Sequence, residues 1–539
     1  MACTKLITST QVFTGADDTS RPLTIAIEDD RILEVGEPTT LREVYPDAEE
    51  LDFGDAFICA GFHDSHLHFF HSAVYSSPLA TTFLGENEAD CVARMQELAR
   101  LRPEGWLLAQ GWREYRWDPP VLPSKHSLDA AFPDRPVALY SGDAHTLWLN
   151  SYALNELGIT HDSVAPEGGS YDRDEAGELT GIVREAAAME LMPTIMNAFS
   201  DDEIAAAYTG FFARLAQNGI TSVCDMSLMA SPGLDFIRDD IHARLLREGK
   251  LTARVHMFPT LLDDMSRFET MRATYTNPRL QTPGFKQFFD GVSSQHTAWV
   301  KEPYSNATTP DDCGRPTVDP AIMRERVLAA ARKGYPVRIH TIGDEAIHVA
   351  LDIFQEAQEM YGKLPDGEHN CLEHLENFQP DDIARVAQLD VVAAVQPPHM
   401  TLDPGGPEAD LGEDRVPFMW PFKTLLADGA TLAFGTDSPV VDVNSMDVIY
   451  SAATRQDPTT HLPKGGWLPT ERISRADTLR AYIIGSAAAA GRASELGTLE
   501  AGKFADLVVL DTNLLTCADE DIQRTSVLST IVGGEVVYS

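Results

Sequence analysis

Between residues 57 and 490 the chain alternates short apolar runs with helical periodicity, and this alternation constrains the fold more than any other feature. The apolar runs are Phe57-Ile-Cys-Ala-Gly61, Ile220-Thr-Ser-Val-Cys224, Phe285-Lys-Gln-Phe-Phe289 and Val337-Arg-Ile-His340, then Asn370-Cys-Leu-Glu-His374, Val391 to Gln396, and Thr431-Leu-Ala-Phe-Gly435. Helical stretches such as 204–216 and 324–332 lie between them. Repeated β-then-α units with apolar strands call for a parallel sheet buried on both faces. In a chain of 539 residues, an α/β fold closed as a (β/α)8 TIM barrel is the expected result.

The two ends read differently. Residues 4–35, and again 505–538, hold short alternating strands separated by turn signals such as Asp29-Asp30 and Gly533-Gly534. Strands this short cannot bury themselves alone, so both ends are expected to fold together as a small β-sandwich of residues 1–56 plus 491–539. The barrel would then occupy 57–490. An insertion at about 72–200 is too long for one βα unit, and it carries Trp106, Trp112, Trp117 and Trp148. It is expected to pack over the barrel mouth.

Composition narrows the partners. The net charge of −40 repels phosphate backbones and anionic lipid, which argues against nucleic-acid binding and electrostatic membrane docking. Seven scattered cysteines without a CxxC spacing fit reduced thiols, and no apolar run is long enough to span a bilayer. A cytoplasmic location is the expectation, with a homodimer as the base-rate assembly.

The polar residues of interest sit in the apolar strands or at their C-terminal ends, where a barrel builds its active site. His66 and His68 differ by two, so in an extended chain both rings face one side and form a chelate for a borderline-soft divalent metal. Lys286 lies in an aromatic strand, where burial lowers an amine's pKa. A neutral amine there could take up carbon dioxide and bridge two cations as a carbamate; the plain alternative is a lysine paired with Asp290. His340, His374 and Asp437 end later strands. Four imidazoles, a carbamate and a carboxylate make a binuclear ligand set, with Asp437 available both as ligand and as acceptor of the attacking water's proton.

These residues carry a resemblance. Ala60-Gly-Phe-His-Asp-Ser-His-Leu-His68, Gly142 to Ser151, Gly177 to Glu185, His340-Thr-Ile-Gly-Asp344, Glu373-His-Leu-Glu376, Gln396-Pro-Pro-His399 and Gly435-Thr-Asp-Ser-Pro439 resemble the amidohydrolase superfamily, and within it the YtcJ-like metal-dependent amidohydrolases. The family often has Ser where Thr436 stands. The resemblance implies hydrolysis of a non-peptide carbon–nitrogen bond in a small-molecule amide by a metal-bound hydroxide, as in deformylases of N-substituted formamides. It implies one or two divalent ions, zinc first, with Mn, Fe or Co as alternatives. It assigns His66 and His68 to the more buried metal, Lys286 to the bridge, and His340 and His374 to the second metal. Asp437 would be ligand and base. His399 would donate to the substrate carbonyl, and His145 with Trp148 would face substrate. Glu373 would orient a ligand, Glu185 would reach the metals or pair with Arg184, and Asp344 would cap the next helix. A heterocycle aminohydrolase and an ester or lactone hydrolase are the alternatives. A deaminase usually has Glu three residues after the fifth-strand His, where this chain has Gly343. A metal-free binding protein would be expected to have lost ligands, and none is missing.

Overall fold

The computed structural model describes residues 4–142, 146–166, 169–228 and 235–539; Cys3 and His145 lie outside them. Two compact units form, Met1–Phe69 with Phe212–Ser539, and Phe70–Phe211.

The larger unit contains two parallel sheets built from the apolar runs. Strands β1 (Phe62–Leu67), β2 (Ile220–Met226) and β3 (Arg254–Phe258) are successive parallel neighbours, with Leu280–Gln281 beyond β3. Strands β4 (Phe285–Phe288), β5 (Val337–Thr341), β6 (Cys371–His374), β7 (Val392–Val395) and β8 (Thr431–Phe434) form the second sheet in chain order, all parallel. Single parallel bridges join the sheets at both edges. Thr260, just past β3, pairs with Lys286, and Leu67 pairs with Ser438, just past β8. Every residue of β2, β3, β5, β6 and β7 is buried, as in parallel strands covered on both faces.

Two strands depart from the sequence expectation. β3 does not read as an apolar run, because Arg254 and His256 interrupt it. Inside the fold the Arg254 guanidinium forks onto Asp506 at 2.6 and 2.9 Å and lies 3.8 Å from the Phe504 ring centroid, so its burial is compensated. The run at 57–61 does not supply the barrel-type strand. Phe57–Ala60 pairs with Lys5–Val12 and Leu507–Leu510, and the chain then crosses to β1. Gly61 permits the crossing: a Cβ there would stand 2.2 Å from the Thr221 side chain.

The chain ends form one mixed eight-stranded sheet. Its order is Glu535–Tyr538, Val527–Val532, Leu507–Leu510, Phe57–Ala60, Lys5–Val12, Arg21–Glu28, Arg31–Gly36, with Glu49–Asp52 also on Lys5–Val12. Behind β8, Gly485 lets a helical segment approach: a Cβ at this position would lie 1.7 Å from the Leu432 carbonyl oxygen. Gly485→Val should therefore push that segment off β8 and destabilise the protein by about 3 kcal/mol or more, read as a lowered unfolding midpoint.

The smaller unit is a six-stranded mixed sheet with helices. Its tryptophans build its own core. Trp112, Trp117 and Trp148 are buried together with Leu128, Leu139 and Ile182, and their indole N–H groups donate to the carbonyls of Leu139, Gly85 and Ser124. That role replaces the expectation of Trp148 facing substrate. Among the described residues no helix is long and apolar enough to cross a membrane.

Candidate metal centre

The side chains singled out by strand position converge in the larger unit. Asp437 Oδ1 lies 3.4 Å from His66 Nε2 and 3.2 Å from His68 Nε2. Ligand atoms of His66, His374 and Asp437 all fall within 4.8 Å of one another. The His340 ring stands 4.3 Å from that of His374, centroid to centroid, and the His374 ring 5.0 Å from that of His66. His399 lies nearly parallel to His374 at 6.3 Å. Lys286 is fully buried, with its ammonium 4.7 Å from the Phe288 ring centroid. It is not paired with Asp290, whose carboxylate instead accepts the backbone N–H groups of Trp299, Ile342 and Gly343.

The backbone is bent to present these groups. His374 and Asp437 have φ of 72° and 57°, values rare outside glycine. Such strain, about 1–3 kcal/mol per residue, persists where surrounding contacts over-determine the conformation.

The rings are aimed from behind. His66 Nδ1 faces Glu373 Oε2 at 2.6 Å, and Arg338 Nε donates to Glu373 Oε1 at 2.6 Å. All three side chains are fully buried. His68 Nδ1 faces the Met226 carbonyl at 3.0 Å, and His374 Nδ1 faces Gln396 Oε1 at 2.8 Å. Each contact turns Nε2 inward and leaves it free of a proton, the arrangement metal-binding histidines adopt. His340 differs, because its Nε2 meets the Gly291 carbonyl at 3.1 Å and leaves Nδ1 for the centre.

Electrostatics agree. Burial, with the Lys286 charge, pulls His66 down to about 4 and His340 down to about 3. Burial also lowers His374 and His399. These four rings are thus neutral at neutral pH. Burial brings Lys286 down to about 8. Burial alone would raise Glu373, but the Arg338 guanidinium and His66 outweigh it and hold the carboxyl at about 2. Burial likewise opposes ionisation of Asp437, yet the facing histidines keep it well below the usual carboxylate range.

His66 Nε2, Lys286 Nζ and His399 Nε2 are buried and, among the described residues, have no hydrogen-bond partner. Unsatisfied buried polar atoms are costly, so their convergence on one carboxylate fits a divalent cation and its ligands. A second cluster, His63, Cys224 and His256, does not fit one. His256 Nε2 must accept from Arg492, a group with donors only, at 3.2 Å, which leaves the proton on Nδ1 facing the Val223 carbonyl at 3.2 Å. Both nitrogens are therefore committed.

Other expected residues fall elsewhere. Asp344 is the first residue of helix Asp344–Tyr361, not its cap; Gly343 holds that position, and the Asp344 carboxylate accepts the Lys301 N–H at 2.9 Å. Glu185 ends strand Leu179–Glu185 and is exposed, while Arg184 donates to Asp172. Arg338 and Gln396 escaped the sequence reading as contributors, although Gln396 lies in the Gln-Pro-Pro-His segment.

The amidohydrolase family profile matches residues 49–538. The chain belongs to the amidohydrolase family. It is 30% identical to Protein LONG AFTER FAR-RED 3 of Arabidopsis thaliana, over 99% of this chain and 91% of that one. It is 24% identical to the N-substituted formamide deformylase of Arthrobacter pascens, over 95% and 94% of the two chains. Among solved structures, an uncharacterized metal-dependent hydrolase from Pyrococcus furiosus superposes with a TM-score of 0.77 at 27% identity, covering 95% of this chain and 100% of that one. This amidohydrolase is accordingly a hydrolase enzyme with a TIM-barrel-type α/β fold, and its buried histidine–aspartate cluster is suited to a divalent metal.

Proposed function

We propose that this amidohydrolase cleaves the carbon–nitrogen bond of a small N-substituted amide, with formamides as the leading class, at a centre held by His66, His68, Lys286, His340, His374 and Asp437. β1 to β8 are read as one closed (β/α)8 barrel on the strength of the two parallel bridges, with the chain ends as its β-sandwich partner. The observation that carries the reading is the convergence of His66 and His68 on Asp437, beside a buried Lys286 that has no hydrogen-bond partner among the described residues. The formamide preference is taken from the deformylase relative.

A divalent metal, zinc in the first instance, supplies when bound a water of lowered pKa and a Lewis acid for the scissile carbonyl. The chain's own groups do the rest. A neutral Lys286 Nζ adds to carbon dioxide and releases one proton, which gives a carbamate with two oxygens for bridging. Asp437 Oδ1 takes the proton of the attacking water and returns it to the leaving amine nitrogen. His399 would donate to the carbonyl oxygen as it gains charge, which requires its proton on Nε2 rather than on the nitrogen that meets the Thr436 carbonyl.

The test is a product screen of the metal-reconstituted protein against N-substituted formamides, simple esters and lactones, and amino-substituted heterocycles. Release of formate and free amine in equal amounts is expected. Ammonia from a heterocycle without amine from any amide would establish the deaminase alternative.

A further inference from the structure

Asp64 lies between the candidate ligands but is not one of them. It is fully buried, and no basic side chain among the described residues pairs with it. Its Oδ1 accepts the backbone N–H of His66 and of Thr436, both at 3.1 Å, and its Oδ2 accepts the Thr436 hydroxyl at 2.7 Å. The donors come from the two edges that meet here, β1 and the loop after β8. That same seam carries Asp437 N–H to the His66 carbonyl at 2.7 Å and His68 N–H to the Ser438 carbonyl at 2.9 Å. The Thr436 hydroxyl oxygen also accepts the Ser438 N–H at 3.2 Å. The approach is tight: a Cβ on Gly435 would stand 2.6 Å from His66 N and 3.0 Å from Asp64 Oδ1.

We propose that Asp64, acting through Thr436, is a positioning residue that clamps the Gly435–Asp437 turn onto β1 and so sets the distance from Asp437 to His66 and His68. The inference rests on the metal-centre reading of those three residues. A buried carboxylate without a cationic partner is costly and contributes little to stability by charge pairing. Its three acceptor contacts instead join the backbone of one ligand to the residue preceding another. Sites of this kind need their groups held within about 0.5 Å, and the clamp is the contact that fixes this one.

The test uses cobalt(II) as the probe on the full chain. Thr436→Val removes the hydroxyl and keeps the backbone donors, whereas Thr436→Ser keeps both. Cobalt affinity is measured by competition with a chelator, the visible spectrum reports ligand geometry, and the metal-free melting midpoint reports the fold. Thr436→Val should lose about 10- to 100-fold in cobalt affinity and shift the visible bands, as loss of a ligand-orienting partner does elsewhere. Thr436→Ser should match the parent in both, and the metal-free midpoints of all three should agree within a few degrees. If Thr436→Val does not fold, Asp64→Asn, of the same size, carries the same readouts with the same expected loss. A folded Thr436→Val or Asp64→Asn variant with the parent's affinity and spectrum would overturn the clamp and leave the metal centre standing. A parent that takes up no cobalt would overturn both.

Discussion

Asp437→Asn should lower kcat/KM by about 10²- to 10⁴-fold on the amide that the screen selects, the range expected for loss of a positioned proton acceptor. Asp437 is the group on which the site converges, with its Oδ1 within 3.4 Å of two imidazole nitrogens. Asparagine keeps the size and one ligand oxygen but cannot take the proton from water. The prediction is checked by steady-state kinetics with metal content read on the same preparation. A loss smaller than tenfold at unchanged metal content would mean that another residue is the proton acceptor. The effect should appear in kcat more than in KM, because the acceptor matters as the bond is made.

The second large effect concerns stability. Arg338→Met would leave Glu373 buried and charged without its guanidinium partner, the group that does most to hold its carboxyl low. Removing one partner of a buried pair costs about 3–5 kcal/mol. Denaturant unfolding of the metal-free protein should show that loss. The double variant Arg338→Met/Glu373→Leu should recover most of the stability, because no lone charge remains. It should not recover metal affinity, because His66 Nδ1 would have no acceptor to fix its tautomer. Recovery of both would reduce the pair to packing.

Much of the candidate cluster was legible in the sequence because parallel strands buried on both faces convert position along a strand into position in space. His66, His68, Lys286, His340, His374 and Asp437 each lie in or just past a buried apolar strand, so their order along the chain sufficed to bring them together. What was not legible depends on distant partners. β3 was hidden by Arg254, a residue that becomes acceptable in a core only because Asp506 lies opposite, far along the chain. Arg338 reads as an ordinary break in an apolar run until Glu373 is placed beside it. Phe57–Ala60 has the composition of a barrel strand, and only its pairing with Leu507–Leu510 assigns it to the terminal sheet. The tryptophans misled for the opposite reason. Large aromatics in an insertion satisfy a ligand-facing reading and a core reading equally well, and the hydrogen bonds of Trp112 and Trp148 belong to the core. Asp64 was in plain view inside the histidine motif, but a carboxylate two residues before a ligand carries no sign of which strand edge it will hold.

Metal content per chain, measured by plasma mass spectrometry on the parent and on Lys286→Ala, tests the central claim most directly. The carbamate-bridged centre predicts about two divalent ions per chain in the parent and a sharp fall in the variant, with loss of amide hydrolysis. About one ion per chain, unchanged by the substitution, would contradict it and take Lys286 out of the site.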